Sequence, residues 1–343
     1  MSVAFPKPKF HYDYNLTQEK KNFKNFFQVR NIPNKKNDEI DLATWNIANL
    51  GVQKRTDKEL KLIAHILSHF DIIAVQEINE NLISFNKIMG YLPSRYKMMM
   101  TDTAGNQERL AVIYNNRIEP LQLFGELDYN PNGVVENNEY VIKPRKQKFT
   151  FQGKSIVTYF YNFSRNPFLS TWKVKNTNTS FMLASVHIYY GDDVEDSAQY
   201  KNRIAEVYYL ANWAREQEKL KNTTKLYEPN IILLGDMNIP KMKSSDTIYT
   251  ALKRKGIIPT EYSTEAGSTI QEFFSYDQIV FSNDQLKIVK INNQKATVVD
   301  YDNFIFKDLW NEVQNGTKTL TQFKAWTKYA ISDHRPLFIR LKV

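Results

Sequence analysis

The sequence predicts a layered α/β domain with mixed sheets. Short apolar runs, too short for helices, alternate with stretches of helical periodicity, though not strictly. No Gly-, Ser- or Pro-rich linker divides the chain from residue 39 to residue 343, which predicts one domain there. The apolar runs end in side chains of one chemical kind, oxygen ligands and imidazoles.

The chain has 343 residues, enough to bury a large core. Its 42% hydrophobic and 24% charged content is ordinary for a globular protein. No apolar run approaches the roughly 18 residues of a membrane span. Met1-Ser-Val-Ala-Phe-Pro-Lys-Pro-Lys lacks the apolar core of a signal peptide, so the expectation is a cytoplasmic chain or a secreted one whose leader was removed. With no cysteine, disulfides, thiolate catalysis and cysteine–metal sites are excluded. The net charge of +9 favours an acidic partner or reflects a lysine-rich solvated face.

Residues 1–38 are basic and aromatic, with Phe23, Phe26 and Phe27 among Lys20, Lys21 and Lys24. They read as an extension laid over the core or partly loose, with a nucleic-acid-binding arm as the other reading. Asp41–Asn46 is a strand, and a turn follows at Gly51. Thr56-Asp-Lys-Glu59 is a capping box that opens a helix with Leu60, Ile63, Leu67 and Phe70 inward. Asp71–Glu77 is the next strand, apolar until it ends in Glu77. A helix over 80–92 and strands near 96–101 and 109–114 follow. Residues 115–150 read as an insertion with short strands and a turn at Pro131-Asn-Gly133. Strands return at 155–161 and at Phe181–His187, and a long helix spans about 195–220 with Ile204, Val207, Tyr208, Ala211 and Ala214 inward. Ile231–Gly235 is a buried strand stopped by Gly235 and followed by Asp236 and Asn238. A helix over Lys241–Lys255, a strand at Tyr276–Phe281 and a last strand from Ile331 complete the chain.

Asn46, Glu77, His187, Asp236, Asn238, Asp277, Asp333 and His334 all lie at or beside strand ends. Singly, each reads best as a turn former or a satisfied rim residue. Together they supply the hard oxygen ligands that suit Mg²⁺, Mn²⁺ or Ca²⁺, and too few nitrogen and sulfur ligands for zinc. Two imidazoles beside carboxylates also supply what proton transfer needs.

These motifs run in the order of a known family. Thr-Trp-Asn46-Ile, Val-Gln-Glu77, Glu108-Arg109-Leu-Ala-Val-Ile-Tyr, Ser-Arg165-Asn-Pro167-Phe168, Val-His187, Gly-Asp236-Met-Asn238, Tyr-Asp277-Gln-Ile and Ser332-Asp333-His334-Arg-Pro resemble the endonuclease/exonuclease/phosphatase superfamily, over about residues 40–343. Glu108-Arg109 and Arg165-x-Pro-Phe point to its deoxyribonuclease I-like branch. The resemblance implies a four-layer sandwich of two packed sheets flanked by helices, with the site at one edge of the sheets. It implies metal-dependent hydrolysis of a phosphodiester, with Mg²⁺ the expected ion. The expected substrate is double-stranded DNA, cut with little sequence preference to 5′-phosphate and 3′-hydroxyl ends. By motif match, Glu77 would be the main metal ligand, with Asn46 and Asp333 nearby. Asp236 and Asn238 would position the phosphate and the water or metal. His187 would pair with Glu108 and His334 with Asp277, one couple acting as general base and one as general acid. Arg109 and Arg165 would hold DNA phosphates. Asn79 stands where such enzymes often carry an arginine that reaches into the minor groove, and keeps hydrogen-bonding capacity there. A lipid or inositol phosphate phosphoesterase of the same superfamily is the alternative, and a non-catalytic binding protein a third.

Other features read as structural. His65 and His69, four apart on a helix, lack the Glu of a zinc-protease motif and suit solvated or capping roles. His11 reads as surface and Met98-Met-Met100 as strand core. Asn178-Thr-Ser180 and Asn222-Thr-Thr224 match glycosylation sequons.

Overall fold

A computed structural model describes the whole chain except residues 1–2, 129–132, 138, 152, 221–222, 224–226, 254–255, 264 and 272. Its first part runs α1 (Leu16–Val29), β1 (Glu39–Leu50), α2 (Asp57–Leu67), β2 (Ile72–Asn79), α3 (Ile83–Tyr91), β3 (Lys97–Met100), β4 (Glu108–Tyr114) and β5 (Ile118–Glu126). Two hairpins follow, β6 (Gly133–Glu136) with β7 (Glu139–Ile142) and β8 (Arg145–Phe151) with β9 (Lys154–Phe160). The middle holds β10 (Phe168–Val174), β11 (Ser180–His187), α4 (Ala198–Glu218), β12 (Ile231–Asp236) and α5 (Thr247–Lys253). The chain then adds β13 (Ile258–Pro259), β14 (Asp277–Phe281), β15 (Lys287–Val289) and β16 (Thr297–Val298), and closes with α6 (Lys307–Gln314), α7 (Leu320–Ala330) and β17 (Leu337–Lys342).

Two mixed sheets result. One has the order β15-β17-β1-β2-β4-β3, with β16 also on β17; the other has the order β13-β14-β12-β11-β10-β5. In each, a parallel central pair, β1–β2 or β11–β12, is flanked by antiparallel neighbours. The inner faces meet through Leu42, Ile72, Val112, Leu183, Ile232, Leu234, Ile279 and Ile339, all unexposed. That two-sided burial explains why these strands read as continuous apolar runs rather than alternating ones. The outer face of the first sheet is covered by α1–α3, α6 and α7, and that of the second by α4 and α5. The fold is therefore the four-layer α/β sandwich expected.

The helix of the capping box forms as read, with Leu60, Ile63 and Leu67 buried. α4 likewise buries Ile204, Val207, Tyr208, Ala211 and Ala214. Several details differ from the sequence reading. β5 is no insertion but the edge strand of the second sheet, and in β10 beside it Ser170, Thr171 and Lys173 interrupt the apolar run. The hairpin β8–β9 packs on α4 through Phe160 stacked on Tyr209 (4.4 Å) and Phe149 edge-on to Tyr208 (5.0 Å). The helix after Asn238 starts only at Thr247, because the Asp246 carboxylate accepts from the Ile248 and Tyr249 amides and caps it there. α6 and α7 were not anticipated, although Thr319 and Gln322 form a capping box at the start of α7. Residues 331–336 are a loop rather than the start of the last strand. Met98–Met100 form a half-buried edge strand, not core. The Pro131-Asn132 turn and the Asn222 sequon lie outside the described residues.

α1 lies on α2. Phe23 and Phe26 are unexposed, and Phe23 meets the rings of His65 (5.8 Å) and His69 (5.1 Å). These histidines are packed rather than solvated, and His69 Nδ1 lies 2.8 Å from the His65 carbonyl, a helix-end contact. His11 is exposed.

Candidate active site

Register brings the polar strand ends into one row. His187, Asp236 and Asp277 are successive partners across β11, β12 and β14. Asn46 pairs with Gln76 beside Glu77, and Asn79 pairs with Glu108. β1, β2 and β4 thus end at the same edge as β11, β12 and β14.

Each imidazole is held by its own carboxylate. His187 Nδ1 lies 2.9 Å from Glu108 Oε2, and His334 Nδ1 lies 2.8 Å from Asp277 Oδ2. A carboxylate accepts only, so His334 Nδ1 carries the proton; His187 Nδ1 has both the Glu108 carboxylate and Arg165 Nη1 (2.8 Å) beside it, and each Nε2 faces the space between the couples. Both Nε2 atoms lie 3.7 Å from the same oxygen, Asp236 Oδ2. Asn46 Nδ2 donates to that oxygen (3.1 Å) and to Glu77 Oε1 (2.9 Å), linking the two sheets.

The local backbone is bent to aim these groups. Glu77 has φ +60°, in a bulge where β2 slips register against β4. Its Oε2 accepts from the Asn49 amide (2.7 Å). Asn238 has φ +50°; its amide donates to Asp236 Oδ1 (2.9 Å) and its Nδ2 to the Ile188 carbonyl (2.8 Å). Such left-handed non-glycine residues cost energy and persist where surrounding contacts over-determine them. Asp333 and His334 sit on the loop before β17. Ser332, which had no role in the sequence reading, pins that loop: its hydroxyl donates to the Asn46 carbonyl (2.8 Å) and accepts from the His334 (3.1 Å) and Ala48 (3.2 Å) amides. Arg55 was also missed. Its Nη2 bridges the Ala48 (2.6 Å) and Ile331 (2.8 Å) carbonyls. Burial lowers its pKa to about 10, against the opposing pull of Tyr301, Glu77 and Asp333.

The charges follow from this packing. Burial raises the Glu108 pKa, but the hydrogen bond and charge of His187, joined by Arg165, overcome it and bring it down to about 2. Burial likewise opposes ionisation of Asp236, yet His334, His187 and Asn46 hold it below the usual carboxylate range. Burial disfavours the charged form of His334, and the attraction of Asp277 and Asp236 outweighs it, so its pKa lies well above the usual value.

Two of the three expected nucleic-acid contacts are buried. Arg165 is 6% exposed and its Nη1 donates to Glu108 (2.6 Å). Asn79 is 4% exposed and its Nδ2 donates to the Glu77 carbonyl (3.3 Å). Each of these two side chains also holds a site residue. Arg109 is more open, near the Asn79 carbonyl (3.4 Å) and exposed Asp102 (3.6 Å).

A divalent ion fits the donors present. Among the described residues no three of His, Asp and Glu converge tightly enough to hold an ion alone. Asn46 Oδ1, however, is buried and has no hydrogen-bond partner beside the Glu77 carboxylate. One carboxylate plus an amide oxygen is what Mg²⁺ takes when substrate phosphate and water complete its shell.

Comparisons with known proteins identify the family. The model of the Endonuclease/Exonuclease/phosphatase family matches residues 43–334. A curated protein named Deoxyribonuclease, from Thioalkalivibrio sp. (strain K90mix), is 27% identical over 202 residues, 59% of this chain and 47% of that protein. The chain thus spans about half the length of that relative. Among solved structures, the human Nocturnin catalytic domain with bound sulfate anion superposes with a TM-score of 0.51 at 14% identity, over 90% of this chain and 96% of that one. A humanized D. rerio TDP2 gives 0.50 at 9% identity, over 89% and 100%. At such identities these structures speak for the fold alone. The match over residues 43–334 means that the chain belongs to the endonuclease/exonuclease/phosphatase family and is a hydrolase acting on phosphoester bonds.

Proposed function

We propose that the protein is a divalent-metal-dependent DNA endonuclease of low sequence specificity, leaving 5′-phosphate and 3′-hydroxyl ends. One observation carries the reading: the Nε2 atoms of His187 and His334 flank Asp236 Oδ2 at equal distance, each ring oriented by its own carboxylate. In-line displacement at phosphorus needs one proton acceptor and one proton donor, and two oriented imidazoles beside one carboxylate can supply both. The similarity to a deoxyribonuclease and the +9 charge support a nucleic-acid substrate.

When bound, a divalent cation neutralises phosphate charge and stabilises the pentacovalent transition state. Glu77 and Asn46 would hold it, with Asp333 nearby. Asp236 and Asn238 orient the phosphate and the attacking water. The water oxygen bonds to phosphorus as the P–O3′ bond breaks. The water proton goes to one imidazole, and the other imidazole protonates the leaving 3′ oxygen. The raised pKa of His334 suits the donor and leaves His187, ordered by Glu108 and Arg165, as the acceptor. Arg109 is the candidate phosphate contact.

The test is relaxation and linearisation of supercoiled plasmid with Mg²⁺ or Mn²⁺, abolished by EDTA. Release of phosphate from lipid or inositol phosphates with plasmid untouched would replace this reading with the phosphoesterase alternative.

A further inference from the structure

Aromatic rings continue outward from His334. The Tyr276 ring, one residue before Asp277, lies 6.1 Å from the His334 ring at an angle of 35°. Phe274 stacks on Tyr276 at 4.8 Å and 20°. Tyr190, from the loop after β11, meets Tyr276 at 6.2 Å and 62°. Beyond Phe274 opens a cleft of about 350 Å³, lined also by Asp193, Glu195, Tyr200, Lys241 and Thr247.

This ledge is rigid. Arg203 is unexposed and lies under the Tyr190 ring at 4.9 Å. Its guanidinium donates to the Asn238 carbonyl (3.3 Å), the Asp192 carbonyl (2.8 Å) and Asp193 Oδ1 (3.0 Å). The Tyr190 hydroxyl donates to Asp193 Oδ2 (2.5 Å). One buried cation therefore fixes both the ledge and Asn238. Tyr276 is partly exposed, Tyr190 is 39% exposed and Phe274 walls an open cleft.

We propose that the ledge formed by Tyr190, Tyr276 and Phe274 takes an unpaired nucleobase of the nucleotide next to the scissile phosphate. This rests on the nuclease reading above. A phosphate held between His187 and His334 puts the adjoining base beside Tyr276, and aromatic faces receive any base because every base has a π-face. Inside a duplex that base is already stacked, and drawing it out costs energy that single-stranded or frayed substrate does not require. The preferred substrate is thus single-stranded DNA, or duplex at frayed and mismatched steps.

The experiment compares end-labelled single-stranded and duplex oligonucleotides of one sequence, cut with Mg²⁺ by wild type, Phe274→Ala and Tyr190→Leu. Phe273→Ala serves as control, since that ring, 71% exposed, lines a separate cleft with Trp310 and Phe323. A strand bearing 2-aminopurine beside an uncleavable phosphorothioate step reports stacking by fluorescence quenching. Expected are a lower KM for single strand than for duplex in wild type and a roughly tenfold KM rise for single strand in each ledge variant, the scale of one lost stacking contact. Quenching is lost in the ledge variants and kept in Phe273→Ala. Because Tyr190 also binds Asp193, Phe274→Ala carries the test should Tyr190→Leu fold poorly. Ledge variants that match wild type on single strand while plasmid is still cut would overturn the ledge alone. Failure of wild type to cut any DNA would overturn both readings.

Discussion

At Gly235 the backbone has φ +138°, and a Cβ there would stand 2.0 Å from the Val186 carbonyl oxygen. Gly235→Ala is therefore expected to lose about 3 kcal/mol or more from strain and steric conflict combined, read by urea denaturation. A loss below about 1 kcal/mol would mean the strand relaxes. Arg165 is a second case where burial decides. Removing its guanidinium takes a close counter-charge from the Glu108 carboxylate, 5% exposed, which also pairs with His187. Arg165→Ala should cost ~3 kcal/mol of stability and most turnover. It should leave the salt dependence of DNA affinity unchanged, and a slope smaller by about one would instead put this arginine on a phosphate. At His334 the folded pKa is raised, so the charged form persists to higher pH than for a free imidazole. As the proton donor it gives kcat a descending limb as pH rises through that folded value. His334→Gln should lower kcat by about 10²- to 10⁴-fold and abolish the limb. A variant that keeps the limb would assign it elsewhere.

At the scale of elements, the pairing of α1 with α2 has a pH signature. Burial lowers the His65 pKa to about 4, aided by His69 and Lys20, and burial also lowers that of His69. A histidine with a depressed folded pKa binds fewer protons when native than when unfolded. Its contribution is therefore fully present above the unfolded value near 6.5 and is lost as pH falls toward the folded value. Melting temperature is expected to drop between pH 7.5 and 5, and less steeply in His65→Gln than in wild type. Identical slopes would show that carboxylates govern the acid limb. Legibility in the sequence divides along related lines. β1, β2, β11, β12 and β14 were readable because two-sided burial makes them solid apolar runs. β5 and β10, at and next to a sheet edge, carry charged residues and were not. The strand ends announced Asn46, Glu77, His187, Asp236 and Asp277, since chemistry at a sheet edge leaves polar residues where apolar runs stop. Arg55, Ser332 and the Tyr190–Tyr276–Phe274 ledge were not legible, because each acts through partners distant in sequence.

For the whole molecule, the decisive feature is that the site is shared between the two sheets. Asn46 and Glu77 belong to the first, His187, Asp236 and Asp277 to the second, and the loop before β17 brings Asp333 and His334. Direct polar ties across the cleft are Asn46 Nδ2, shared by Glu77 and Asp236, and the His187–Glu108 hydrogen bond. A cation taken up by Glu77 and Asn46 would neutralise a buried excess of carboxylate, because Asp236 stays ionised below the usual range. Such a ligand binds the native state and not the unfolded one, since Glu77 and Asn46 converge only when both strands pair. It should therefore stabilise the whole cooperative unit, by about 2.7 kcal/mol when present at a hundredfold excess over its Kd. Differential scanning calorimetry with rising Mg²⁺ is expected to raise the melting temperature without DNA or turnover. Glu77→Gln keeps the shape and the Asn46 hydrogen bond but removes the charge and the acceptor for the Asn49 amide, so it should abolish the Mg²⁺-dependent rise while lowering the metal-free stability by no more than the loss of that one hydrogen bond, about 1–3 kcal/mol. A rise of equal size in Glu77→Gln would place the ion elsewhere on the molecule and remove Glu77 from the metal site.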